Sequence, residues 1–289
     1  MKQTRLMAAG GLALVALAWG AIPLIVREPV PSSQLVTARV WLGAAALLAF
    51  HGVTGSLRLP TAHRARVVAA GVILAGHWAL FFLALKLTTV AVALAVLYLG
   101  PVIAAVAAGP ILGERVGPWA RGGLALGVVG IVLLVRPGEG ATLAGVLVAA
   151  AAAASMAALL IVGKPAAEDL GGFELATWEL VVASIVLIPW VPATVSGMGD
   201  FWWQYLVLGV ALTGIVGVAY WSMMRHLPVS VTGVMMYLEP VAATVLAALV
   251  LSERLDGIGW LGILLVVGGG VLAAFEAAEM EVIGAPATL

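Results

Sequence analysis

Residues 98–102 read Tyr98-Leu99-Gly100-Pro101-Val102, and residues 237–241 read Tyr237-Leu238-Glu239-Pro240-Val241, an offset of 139 positions. The same offset pairs Lys86 with Arg225 and Gly130 with Gly269, and it returns Leu112-Gly113-Glu114-Arg115 as Leu251-Ser252-Glu253-Arg254. Nearer the start, Leu35 and Thr37 meet Leu175 and Thr177 at an offset of 140. Chance does not hold one register across so many positions. The chain therefore reads as a duplicated unit, residues 1–138 followed by residues 139–289, in a single membrane domain. In a sequence this apolar, a duplicated half is the mark of a transporter.

Composition sets the class. With 63% hydrophobic and only 10% charged residues, and a mean hydropathy of +1.16, the chain cannot dissolve as a compact globule and belongs in the bilayer. The 35 glycines permit close helix approach in lipid, and the 10 tryptophans favour interfaces and amphipathic pockets. The absence of cysteine removes disulfides and thiolate metal sites, and zero formal net charge argues against a nucleic-acid partner. His51, His63, His77 and His226 are scattered without metal-ligand spacing, so no metal is expected. No phosphate-binding glycine loop is present to suggest a nucleotide, and no cofactor is expected.

A spanning helix needs about 20 apolar residues. Glycine, proline and charge punctuation divide the chain into about ten such segments, near 6–26, 33–53, 65–85, 88–110, 118–136, 142–163, 173–192, 202–224, 228–251 and 257–276. Lys2 and Arg5 ahead of an apolar run, with Ala16-Leu17-Ala18, imitate a cleavable leader; the run continues to Val26 and has a counterpart in the sixth segment, so an uncleaved span is expected.

Orientation follows from basic residues in short loops. With a cytoplasmic amino terminus, nine fall inside (Lys2, Arg5, Arg58, Arg64, Arg66, Arg115, Arg121, Lys164, Arg225) and four outside (Arg27, Lys86, Arg136, Arg254). Both termini are thus expected in the cytoplasm. Five spans per half is an odd number, so the second half lies upside down relative to the first. The expected fold is an all-α polytopic membrane protein of ten transmembrane helices in two inverted five-helix repeats, with a site near the midplane between them.

At about 1.5 Å per residue the midplane lies some ten residues into each span. By that count Trp19, His77, Trp78, Tyr98, Met156, Tyr237 and Glu239 lie near the middle, with Trp178 and Glu179 in the inner leaflet. Trp19, His77, Trp78, Tyr98, Met156, Trp178, Tyr237 and Glu239 are the candidate substrate-binding residues, and no catalytic residue is assigned. His77, alone in an apolar stretch, needs a partner. It reads either as a substrate contact or as a structural histidine bonded to a backbone carbonyl, with a proton switch as a third reading. Glu239 reads as a packing carboxylate beside the Pro240 break or as a cavity group on a substrate amine or a proton. Arg39 and Glu179 occupy matched positions in the second and seventh spans. Inversion leaves them about 12 Å apart along the membrane normal, so an ion pair is not expected. Arg39 reads as a snorkelling or helix-locking residue near the outer side. Pro101 and Pro240 each remove a helical hydrogen bond near the midplane and are the hinge candidates. Glycines 123, 127 and 130, with 262 and 268–270, are spaced for a helix contact that joins the halves within one chain. A monomer is expected.

Ten spans in two halves, with an apolar helix carrying a central proline, a Leu-Gly-Glu-Arg or Leu-Ser-Glu-Arg turn and then a glycine-rich helix, resembles the EamA branch of the drug/metabolite transporter (DMT) superfamily. Glu239-Pro240 looks like that family's Glu-Pro element, and Arg39 sits where members often carry an arginine. Length and an aromatic-rich middle make the chain similar to bacterial aromatic amino-acid exporters of the YddG type. The resemblance implies an inner-membrane secondary transporter that exports neutral amphipathic metabolites, aromatic and related amino acids first among them. The alternatives are another small metabolite or drug, such as a nucleoside or sugar derivative, and, from a different class, a membrane-embedded enzyme or lipid-handling protein. The last would need clustered acids, histidines or nucleophiles at one interface, which the sequence lacks.

Overall fold

The computed structural model describes residues 2–25, 32–55, 61, 63–136, 141–196, 199, 202–251 and 256–279, and among these every regular element is helical. The break expected at Arg27–Pro31, residues 58–60 and 62 of the Arg58–Arg66 loop, Ser252-Glu253-Arg254 of the second turn motif and the carboxyl terminus lie outside the described residues. Among the described residues, nine helices are long and apolar enough to cross a bilayer: α1 (Gln3–Ile25), α2 (Ser33–Thr54), α3 (Arg64–Leu87), α4 (Val90–Leu112), α5 (Pro118–Val135), α6 (Leu143–Leu170), α8 (Trp202–Met224), α9 (Val229–Val250) and α10 (Gly257–Glu279). The remaining one, α7, is bent: Gly172–Val186 continues as Ile188–Ser196 after a turn of 60°. That makes ten spans, the number the apolar periodicity predicts.

Besides α7, spans α4, α8 and α9 depart from regular α-helices. α4 breaks between Val90–Leu97 and Gly100–Leu112, and α9 breaks between Val229–Met236 and Leu238–Leu251. The breaks fall at Tyr98 and Tyr237, the residues that the repeat equates. Each is followed within three residues by a proline, which has no N–H and sits without penalty at a helix start. Pro101 lies against Gly233 of α9, where a Cβ would come within 2.7 Å of the proline's own Cβ, so the broken helices cross at their breaks. In α8, residues Val207–Ile215 wind as a π-helix, a geometry that sets carbonyls free for other donors.

α5 and α10 pack backbone to backbone. A Cβ on Gly130 would meet the Gly262 carbonyl at 2.7 Å, and a Cβ on Gly262 would meet the Gly130 carbonyl at 2.7 Å; Gly123 and Gly269 repeat this at 2.9 and 2.8 Å. Only glycine permits that approach, so the glycine-rich helices join within one chain as their spacing predicts. Both ends of the pair are fastened. Glu276 of α10 accepts from the backbone N–H groups of Trp119 and Ala120 at the start of α5, and Arg136 at the other end of α5 pairs with Asp256 ahead of α10. At another helix end, Lys164 of α6 pairs with Glu114 at 2.5 Å and donates to the Leu227 carbonyl, while Glu114 accepts from Val229 N–H at 2.8 Å.

Candidate substrate site

A cavity of about 90 Å³ lies among α1, α2 and α3 of the first half and α6, α7 and α8 of the second. These are equivalent triplets in the two repeats, so the cavity occupies the junction between the halves, where inverted-repeat transporters hold their substrates. Its walls are Trp19, Arg39, Leu74 and Trp78 on one side and Leu159, Ala176, Glu179, Leu180, Leu212, Thr213, Gly217, Tyr220 and Trp221 on the other.

The π-helical turn of α8 organises the first wall. Leu212 turns its carbonyl to Trp19, whose indole N–H donates to it at 2.7 Å, and the Trp19 ring lies 5.3 Å from that of Tyr220. Thr213 donates its hydroxyl to the Leu208 carbonyl, five residues earlier, at 2.7 Å. That same hydroxyl accepts from Arg39 Nε at 2.9 Å. The guanidinium carbon stands 4.7 Å from the centre of the Trp78 ring, a cation–π contact. Arg39 is thereby oriented from α8 on one side and α3 on the other.

Glu179 anchors the opposite wall. It is 4% exposed, and its Oε2 accepts the indole N–H of Trp221 at 2.6 Å. Its Oε1 is buried with no hydrogen-bond partner from the protein. Tyr220 and Trp221 pack edge to face at 5.2 Å and complete the aromatic lining.

Of the residues singled out from the sequence, Trp19 and Trp78 line this cavity. His77, their neighbour, points away to α6, where Nδ1 lies 2.9 Å from the Ala152 carbonyl and 3.3 Å from Ser155 Oγ. A carbonyl only accepts, so Nδ1 carries the proton in that bond. Met156 packs beside Gly100, its sulfur 3.4 Å from where a Cβ there would lie. Tyr98 and Tyr237 meet edge to face at 6.2 Å, and Tyr237 fills the space over Gly127. Trp178 is half-buried against the main core. Glu239 is half-buried at the α9 break, its backbone carbonyl against Gly20 of α1, and Arg39 is the charge that acts on its carboxylate. Pro101 and Pro240 follow the two helix breaks. Among the described residues, no group of three or more His, Cys, Asp or Glu could hold a metal.

Arg39, expected near the outer side as a helix-locking residue, does lock α2 to α8, and it also lines the cavity. Glu179, expected in the inner leaflet, shares that lining. Depth along a span does not say which face a side chain presents, and the packing of α2 and α7 against α8 turns both toward the cavity. They are repeat partners at the offset of 140, but that both border one cavity is decided by packing, which the offset does not give.

Paired inverted halves of broken and unbroken spans around a central aromatic cavity define a multi-pass membrane transporter. The sequence profile of the EamA-like transporter family matches residues 6–136 and again residues 143–275, and the chain belongs to that family, within the DMT superfamily. It is 26% identical over 238 residues to the threonine/homoserine exporter RhtA of Salmonella typhimurium, covering 80% of this chain and 78% of that protein. It is 28% identical over 215 residues to the aromatic amino acid exporter YddG of Ancylobacter novellus, covering 70% of this chain and 73% of that protein. A solved crystal structure with 25% identity superposes with a TM-score of 0.79 over 94% of this chain and 98% of its own.

Proposed function

We propose that this protein is an inner-membrane secondary exporter of neutral amphipathic metabolites, aromatic and related amino acids first among them, acting as a monomer with both termini in the cytoplasm. The observation that carries the reading is a cavity at the junction of equivalent helices that is walled by Trp19, Trp78, Tyr220 and Trp221 and bears one basic and one acidic side chain. Aromatic walls suit an apolar side chain, and so few polar groups suit a small molecule without net charge. The exporters of threonine, homoserine and aromatic amino acids among its relatives support the same class. His77, Tyr98, Met156, Trp178, Tyr237 and Glu239, which do not line the cavity in this state, come into contact with substrate as the halves move.

At about 90 Å³ the cavity is well below the roughly 300 Å³ at which ligand pockets begin, so loading requires its walls to part. Pro101 and Pro240, at the matched breaks of α4 and α9, are the hinges for that movement as the halves, residues 1–138 and 139–289, rock against each other. Purified protein in liposomes loaded with phenylalanine, tyrosine or threonine, assayed with and without an imposed pH difference, tests this reading. Substrate is expected to run down its own gradient without a pH difference, and Glu239→Gln is expected to retain substantial transport. Accumulation against a substrate gradient that is driven by a pH difference and lost in Glu239→Gln would overturn facilitated export. No flux of any amino acid would overturn the substrate class.

A further inference from the structure

Arg39 and Glu179 stand at equivalent positions of the two repeats, carry opposite charge, and border one cavity. We infer that they read the two ends of an α-amino-acid zwitterion: the Arg39 guanidinium takes the substrate carboxylate and Glu179 Oε1 takes its ammonium group. The inference rests on the amino-acid reading given above and adds to it which residues recognise the backbone common to all amino acids.

The hydrogen-bond and ring partners of each charge are neutral. Arg39 uses Nε on the Thr213 hydroxyl and lays its plane over Trp78, which leaves the two terminal amino groups of its donor fork uncommitted by those contacts. Glu179 spends Oε2 on the indole of Trp221 and leaves Oε1 buried and unpartnered. No ion pair joins the two among the described residues. Glu239, the carboxylate on which the Arg39 charge acts, sits at the α9 break and is not part of the lining. A buried carboxylate oxygen without a donor is costly, and an arginine fork with free amino groups is a ready receptor for a carboxylate. A zwitterion supplies both missing partners in one molecule of zero net charge, with charge-assisted hydrogen bonds at each end. An amine without a carboxylate, or an acid without an amine, satisfies one wall and leaves the other charge unpaired. Recognition of this kind discriminates by what the wrong ligand strands rather than by what the right one adds.

The pair also follows from the symmetry of the fold. In an inverted repeat, equivalent residues that border the cavity between the halves approach it from opposite sides, so one duplicated position can diverge into a cationic and an anionic wall of a single site. The aromatic residues Trp19, Trp78, Tyr220 and Trp221 are then left for the variable side chain.

The test is equilibrium binding to the full-length protein in detergent, by calorimetry or quenching of tryptophan fluorescence, with three probes: phenylalanine, phenethylamine, which lacks the carboxylate, and 3-phenylpropionate, which lacks the ammonium. Wild type is expected to favour phenylalanine over both. Glu179→Gln keeps an acceptor for Trp221. It is expected to lose roughly tenfold or more of the preference over 3-phenylpropionate while keeping the preference over phenethylamine. Arg39→Gln is expected to do the converse, and Arg39→Lys to recover part of the loss. A monodisperse gel-filtration peak shows that each variant folds. Phenylalanine binding with unchanged ratios in both variants would overturn the pairing and leave the amino-acid reading standing. A wild type that binds neither phenylalanine nor threonine would overturn both.

Discussion

The phenol of Tyr237 donates a hydrogen bond to the backbone carbonyl of Tyr98 at 2.9 Å, so the two residues that the internal repeat equates are joined at the crossing of the two broken helices. Equivalent positions in the halves do different work here: one tyrosine supplies its side chain and the other its backbone. Tyr237→Phe keeps the ring over Gly127 and removes only this bond. A loss of about 1 kcal/mol is expected in detergent unfolding, the usual scale of a hydrogen bond between membrane helices, whereas Tyr98→Phe should leave the bond intact.

Two tryptophans separate site from scaffold. Trp78 lines the cavity under the Arg39 guanidinium, whereas Trp119 lies at the start of α5, its indole N–H on Glu279 at 2.7 Å. Trp78→Ala is expected to depress export roughly tenfold or more at normal expression, and Trp119→Ala to leave it near wild type. Equal loss in a liposome efflux assay would contradict the placement of the site.

The start of α5 depends on a carboxylate from another helix. Glu276 Oε2 accepts from the N–H groups of Trp119 and Ala120 at 3.2 and 3.3 Å, the role an N-cap side chain ordinarily plays, with the added attraction of the helix dipole. Glu276→Ala is expected to cost about 1 kcal/mol or more, read as a lower midpoint of thermal unfolding. Gly117→Ala should act in the same direction, because its new Cβ would fall 1.6 Å from Glu276 Oε1 although the backbone at φ −72° accepts alanine.

A pH effect is expected at the opposite end of the same helix pair. Asp256 pairs with Arg136 and accepts from Gly259 N–H at 2.9 Å; these hold its carboxyl below the ordinary value of 3.8, Arg136 first. A depressed value in the folded state means that the contribution is complete at neutral pH and is lost as pH falls below about 3.8. The unfolding midpoint of Asp256→Asn is expected to lie below wild type at pH 7 and to converge on it in acid. Asp256→Ala, which removes the cap of α10 as well as the charge, should fall below Asp256→Asn at pH 7.

Much of this architecture was legible from residue order alone. The apolar runs predict ten spans because lipid tolerates only fully hydrogen-bonded helices of a set length. The shared register of Tyr98-Leu99-Gly100-Pro101 with Tyr237-Leu238-Glu239-Pro240 predicts duplication. The glycines of α5 and α10 predict the helix contact that joins the halves. Mid-span depth singled out Trp19 and Trp78, which line the cavity, together with His77, Tyr98, Met156, Tyr237 and Glu239, which do not.

Residue order by itself determined the membrane environment, the number of spans and their pairing into repeats, because each follows from local hydropathy or from identity at a fixed offset. Which polar groups meet was decided only by the tertiary structure. The π-helical turn of α8 carries no periodic signature in the sequence, yet it holds the Leu212 carbonyl and the Thr213 hydroxyl that fasten Trp19 and Arg39 at the cavity. His77 looks the same along the chain whether it faces a cavity or a carbonyl, and the rotation of α3 against α6 turned it to Ala152. Depth along a helix is a property of one segment, whereas the face that a side chain presents is set by the neighbours packed around it.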